Sequence, residues 1–287
     1  MKRKNSAIRP RRTVLGVLGK TLAYLFMIFV LGYCLIPILW VFLSTFKTNM
    51  EVLESPFTWP ARFSLGAYRR AFETADVGTF FLNSVVVSAC NTVLSVLLYS
   101  MAAYGLTRFP FRGRNVIIVF FSMTLLIPVN SLLYPIFFII RRLGLYDTKA
   151  GLVLVFVAMG LPMSFFVLRG FFNNLPVEIE EAAYIDGASV WTTFFRIVMP
   201  ISSASLVTVA ILAFFNSWND FIFALTLTSK TANRTLPLAL KYFLTNFTYD
   251  YPSLFAVVVI IILPCIVVYA LLQERITDGI VSSAIKG

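Results

Sequence analysis

Four carboxylates crowd into one short stretch, Glu178, Glu180, Glu181 and Asp186, with no lysine or arginine among them. The chain as a whole is only 13% charged, so the cluster stands apart from its surroundings. Pro176 precedes it, and acids in a first helical turn complement the positive end of the helix dipole, so a helix is predicted to start near Glu178. Ile179, Ala182 and Ala183 fall at i, i+3 and i+4 and form one short apolar stripe. Alanines there would let another backbone come close. Gly187 supplies a break, and residues 189–200 begin a second amphipathic piece. A helix lying on a bilayer prefers Lys and Arg on its polar face, whereas carboxylates are repelled by an anionic leaflet. A docking site for another protein fits the stretch better.

A second constellation is Asn216, Trp218, Asn219 and Asp220, within "NSWND". Planar hydrogen-bonding groups beside an indole suit a carbohydrate-like ligand. Trp is also enriched in interfacial belts, and the residues alone leave both readings open. Asn83 and Asn130 are further polar candidates inside apolar runs, while Asn91 reads first as hydrogen-bonding glue between helices.

Several chemistries are excluded. The chain has no histidine, which removes Ser–His and Cys–His catalysis and the usual zinc sites. Its three cysteines lie singly in apolar runs without C-x-x-C spacing, so no metal or redox framework is expected. No G-x-x-x-x-G-K-[ST] phosphate loop is present. Asp220 is the one acid within the apolar runs, and pumps that drive themselves with ions usually carry an intramembrane acid relay. A self-powered pump is therefore disfavoured: energy must come from elsewhere, or the protein is a passive channel or receptor.

The elements that position these residues are membrane spans. The chain has 287 residues, 59% of them apolar, against about half in soluble domains. Runs at about 22–46, 80–106, 115–140, 150–172, 201–227 and 253–273 are each long enough to cross the hydrocarbon as a helix. An all-α polytopic membrane protein of six helices, forming one domain over 1–287, is expected. Pro37, Pro128, Pro135, Pro162 and Pro264 should kink or interrupt the helices that hold them. The net charge of +11 does not point to nucleic acid, because seven of the 24 Lys and Arg fall in the first twenty residues, before the first apolar run. That bias places the N-terminus in the cytoplasm. The first run is too long for a cleaved signal, and a retained anchor is expected. Parity then puts the 173–200 connection and the tail, 274–287, on the same side as residues 1–20.

Residues 181–200, "EAAYIDGASVWTTFFRIVMP", resemble the EAA loop of ATP-binding-cassette (ABC) importer permeases, with Glu181, Ala182, Ala183, Asp186, Gly187, Ala188, Ile197 and Pro200 matching. The wider chain is similar to the maltose-type sugar permeases in its basic start, "AAYGLTRFPFRGR" (102–114), "GLYDT" (144–148), "NSWNDF" (216–221) and "SSAIKG" (282–287). The resemblance implies a type I importer permease fold in a bacterial inner or plasma membrane and no catalysis by this chain. It implies that the eight matching residues couple to an ATPase. Asn83, Asn130, Asn216, Trp218, Asn219 and Asp220 stand beside this, from their own chemistry, as candidates for the substrate path. The resemblance also implies no cofactor here, with ATP and Mg held by two ATP-binding subunits, a second and different permease subunit, and an extracellular or periplasmic solute-binding protein. A non-sugar importer, or a membrane receptor or scaffold with a docking loop, stands as the alternative. Whether Glu181 caps its own helix or touches the motor is left open.

Overall fold

The structure, a computed structural model, describes residues 14–243 and 249–284, with backbone alone for 14–18 and 274–284. Most of the expected N-terminal segment and tail lie outside the residues described in full. The helices, in order, are α1 (Val14–Ser44), α2 (Asn49–Glu54), α3 (Gly66–Thr74), α4 (Val77–Arg108), α5 (Arg114–Thr124), α6 (Leu133–Arg142), α7 (Lys149–Asn174), α8 (Glu178–Ile185), α9 (Val190–Thr193), α10 (Met199–Ile201), α11 (Ser203–Trp218), α12 (Ile222–Leu227) and α13 (Tyr251–Ala284). A π turn, Phe194–Val198, joins α9 to α10, and 3-10 turns occupy Val129–Leu132, Thr231–Asn233 and Leu236–Phe243. No strand occurs among the described residues.

Four helices are long and apolar enough to cross a membrane by themselves: Gly19–Ser44, Val77–Arg108, Lys149–Asn174 and Tyr251–Gln273. The expected third and fifth spans are not single rods. Arg114–Thr124 and Val129–Arg142 meet at 102°, and Val190–Ile201 and Ser203–Trp218 meet at 82°. The count is therefore four continuous helices, or up to six spans if each bent pair is one. Length explains the difference. At 1.5 Å per residue α5 is only about 16 Å long and α11 about 24 Å, short of the roughly 30 Å of hydrocarbon. Pro128 lies at the first break, where it cannot donate a backbone hydrogen bond. Pro37, Pro162 and Pro264 are carried inside continuous helices.

α4, α7 and α11 pack against one another, α13 packs on α11, and α1 on α13. Asn91 is fully buried where α4 meets α11, and its amide donates to the Ala213 carbonyl at 2.7 Å and to Ser217 Oγ at 3.1 Å. This is the interhelical role expected of it. One core cluster joins Tyr99, Tyr104, Phe165, Phe172, Phe194 and Val198 at the C-terminal end of α4. Another joins Val77, Phe80, Trp218, Leu236 and Ala256 at its N-terminal end.

Asp147 ties the turn between α6 and α7 to the segment after α12. Its Oδ1 accepts from the Ser229 and Lys230 N–H groups at 2.9 and 3.0 Å, and its backbone sits at φ 58°. Burial opposes ionisation, but the Ser229 and Lys230 N–H groups, the Asn233 amide and the Lys230 charge outweigh it and hold the carboxyl below its ordinary value. A lowered folded-state value means that the stabilisation is present above the unfolded value, about pH 4, and is lost as pH falls through the folded one. Asp147→Ala is expected to cost about 0.5–1.5 kcal/mol, because the exposed Ser229 and Lys230 N–H groups it releases can turn to water, read as a lower thermal unfolding midpoint at pH 7 in detergent. The gap from wild type should narrow in acid.

Candidate functional site

The carboxylate cluster forms α8, as the dipole argument anticipates, but its acids divide. Val177 stands at the N-cap, and no side chain caps the helix. Glu178 and Glu181 are exposed, whereas Glu180 is only 4% exposed. Glu181 therefore does not cap its own helix, and it has no ion-pair partner among the described residues. Glu180 turns inward. Its Oε1 accepts from Arg108 Nε at 2.6 Å and its Oε2 from the Tyr104 hydroxyl at 2.7 Å. Arg108 Nη2 also donates to the Leu175 carbonyl at 2.8 Å. Two charges this buried are tolerated because the pair and its hydrogen bonds offset the loss of water.

The apolar stripe divides too. Ala183 is buried and Ile179 packs on the core cluster of Tyr104 and Phe172, while Ala182 faces outward. The outward face of α8 thus carries Glu178, Glu181, Ala182 and Ile185, the last 85% exposed.

Gly187 ends the helix at φ +82°, a conformation that L side chains rarely adopt. Its N–H donates to the Tyr184 carbonyl at 3.0 Å, and the Ala188 N–H donates to Ala183 at 2.9 Å. These two bonds make a Schellman cap, with Asp186 at the C-cap. Ser189 restarts the chain by accepting from the Thr192 N–H at 3.2 Å. In the π turn Phe194 and Val198 are buried, Ile197 is half-buried, and Pro200 beyond it is exposed. Ser202 Oγ donates to the Val198 carbonyl at 2.6 Å where the chain bends into α11. Trp191, 59% exposed, stacks on Phe195 with an interplanar angle of 19°. The result is a bent ledge, acidic and apolar on its outer side, pinned to α4 on its inner side.

The "NSWND" residues are dispersed. Trp218 is 1% exposed, donates Nε1–H to the Ile261 carbonyl at 3.0 Å and packs between Phe214 and Phe81. Asn83 is buried, with its amide on the Ala232 and Arg234 carbonyls at 2.8 and 2.9 Å. Both are occupied in packing. Asp220 accepts from the Phe223 and Ala224 N–H groups at 3.4 and 2.9 Å and so starts α12. Asn216 and Asn219 are exposed, and Asn130 is exposed in the break between α5 and α6.

A family model described as "Binding-protein-dependent transport system inner membrane component" matches residues 95–281, well over half of the chain and the whole of the ledge. The chain belongs to this family. It is a permease subunit of an ABC importer, a transport component of the membrane and not an enzyme. The permease is 37% identical to the diacetylchitobiose uptake system permease protein NgcG of Streptomyces coelicolor, over 86% of this chain and 82% of that one. It is 35% identical to the trehalose transport system permease protein SugB of Mycobacterium tuberculosis, over 90% and 94%. A crystal structure of a bacterial ABC transporter involved in import of the acidic polysaccharide alginate contains a chain of the same fold, with TM-score 0.76 and 21% identity over 93% and 98%. Permeases of this family work with ATPase and solute-binding partners.

Sequence reasoning missed the Tyr104–Glu180–Arg108 cluster. A signal was available: Tyr104 and Arg108 are four residues apart at the end of a span, on one helical face.

Proposed function

We propose that this permease is one half of the membrane channel of a sugar importer, moving sugars or oligosaccharides inward by alternating access. Two separate ATP-binding subunits, which hold ATP and Mg, drive it. A second and different permease subunit completes the channel, and an extracellular or periplasmic solute-binding protein delivers the sugar. Both termini and the ledge at 178–200 face the cytoplasm, so the motor docks there. The observation that carries this reading is the ledge itself, a short helix with an acidic and apolar outer face that ends in a Schellman bend. Short helices seated in grooves are an ordinary recognition mode. The relatives named for diacetylchitobiose and trehalose uptake support sugars as the substrate class. Glu181, Ala182, Asp186 and Gly187 meet the motor. Ala183, Ala188, Ile197 and Pro200 shape the ledge beneath them. On the substrate path, Asn130, Asn216 and Asn219 are the accessible contacts, and Asn83, Trp218 and Asp220 frame it.

The test is co-purification with the partner chains and reconstitution with the binding protein across a panel of sugars. One sugar class is expected to stimulate ATP hydrolysis and to be imported. Stimulation by amino acids or phosphate but by no sugar would overturn the substrate class.

A further inference from the structure

Glu180 is a buried carboxylate that docking to a motor does not use, because it faces its own chain. Its partners, Tyr104 and Arg108, sit on the last turn of α4, a continuous helix of 32 residues. At 1.5 Å per residue that helix is about 48 Å long. Near its other end, Asn83 donates to the Ala232 and Arg234 carbonyls, and Ser84 Oγ accepts from the Leu236 N–H at 2.8 Å. One rod is thus fastened by side chains to the ledge at one end and to the 231–236 turn at the other.

We propose that the buried Arg108–Glu180 pair, with Tyr104, is a latch through which α8 drives α4, so that displacement of the ledge reaches the 231–236 turn at the far end. These are positioning residues for transport, and the inference rests on the permease reading above. The physical basis is directional. Ala183 and Ile179 contact the core through nonspecific packing, which can slide. Arg108 Nε on one carboxylate oxygen and the Tyr104 hydroxyl on the other fix Glu180 in orientation, and parting the pair would leave a charge buried without its partner. Helix and rod therefore move together.

Removing one partner alone could unfold the chain, so the decisive variant replaces both, Arg108→Met with Glu180→Leu. Apolar residues of similar volume often hold a buried ion-pair site at unchanged or greater stability. Tyr104→Phe is the milder companion, removing one hydrogen bond. The complete complex, with ATPase, partner permease and binding protein, is reconstituted in proteoliposomes, and sugar imported per ATP hydrolysed is measured. A nitroxide label at exposed Thr231, in a chain whose three cysteines are serine, reports on the far turn.

The double variant is expected to assemble at near wild-type yield, with the released Tyr104 hydroxyl and Leu175 carbonyl lowering its thermal midpoint by no more than a few degrees. Its import per ATP should fall at least about fivefold, with the nucleotide-dependent change at Thr231 lost and Tyr104→Phe intermediate. Wild-type import per ATP together with an intact Thr231 response in the double variant would overturn the latch alone. Failure of the unmutated complex to import any solute would overturn the permease reading, and the latch with it.

Discussion

Replacing Gly187 with proline is expected to uncouple transport, with import falling at least tenfold while the permease stays folded in the membrane. Gly187 holds φ +82°, and proline fixes φ near −65° and has no N–H to give to the Tyr184 carbonyl. Forcing the site loses one hydrogen bond, about 1 kcal/mol, and the left-handed conformation, about 1–3 kcal/mol. The chain relieves this locally by abandoning the Schellman bend, since α8 is held elsewhere by Glu180 and Ala183. A bend costing about 2–4 kcal/mol to restore leaves roughly one molecule in thirty to one in eight hundred competent to dock. Gly187→Ala separates geometry from bulk. An added Cβ meets nothing within 4 Å, so only the φ cost of about 1–2 kcal/mol remains and the loss of import should be smaller. Glu181→Lys completes the series, reversing an exposed charge with little cost to the fold. Import and ATP hydrolysis measured side by side, with membrane content from quantitative blotting, check all three. Equal import by the proline and lysine variants and wild type would remove the ledge from the mechanism.

Gly151→Ala is expected to be the most damaging glycine-to-alanine change among the described residues. A Cβ there would lie 2.4 Å from the Leu145 carbonyl oxygen. That carbonyl cannot withdraw freely, because Thr148 Oγ1 donates to it at 2.7 Å and the Leu145 N–H is bound to Ile140 at 3.0 Å. The overlap must shift the start of α7 against α6, at a cost of about 1–3 kcal/mol or more. The thermal midpoint of the purified chain should drop by roughly 2–12 °C, and Gly151→Val should leave no folded material on gel filtration. Gly105→Ala is the contrast. It lies inside α4 with nothing within 4 Å of the added atom, so it should hold or raise stability by up to about 1 kcal/mol.

Hydropathy and length made the helical spans legible, because a backbone in hydrocarbon has few other ways to satisfy itself. An apolar run carries no angle, so the bend at Ser202 was not legible, whereas Pro128 marked the place of the first break without giving its 102°. Gly187 was legible because a left-handed position selects glycine. Glu180 was not, because a carboxylate beside two others reads as solvated until its partners, over 70 positions earlier in the sequence, are brought to it. The surroundings of Trp218 were hidden for a related reason. An indole beside three polar residues looks like a ligand platform, yet its ring is consumed by Phe214 and Phe81 and its N–H by Ile261. The order of residues gives the chemistry available, and only the fold decides which groups face a partner.

The most direct test of the docking account places a photo-reactive amino acid at Ile185 in the assembled transporter. Ile185 is 85% exposed at the tip of α8, and Phe57, 86% exposed in the connection before α3, serves as the comparison at the other end of the bundle. Illumination is expected to link residue 185 to the ATP-binding subunit and residue 57 to no ATP-binding subunit. A motor cross-link from 57 with none from 185 would contradict the account.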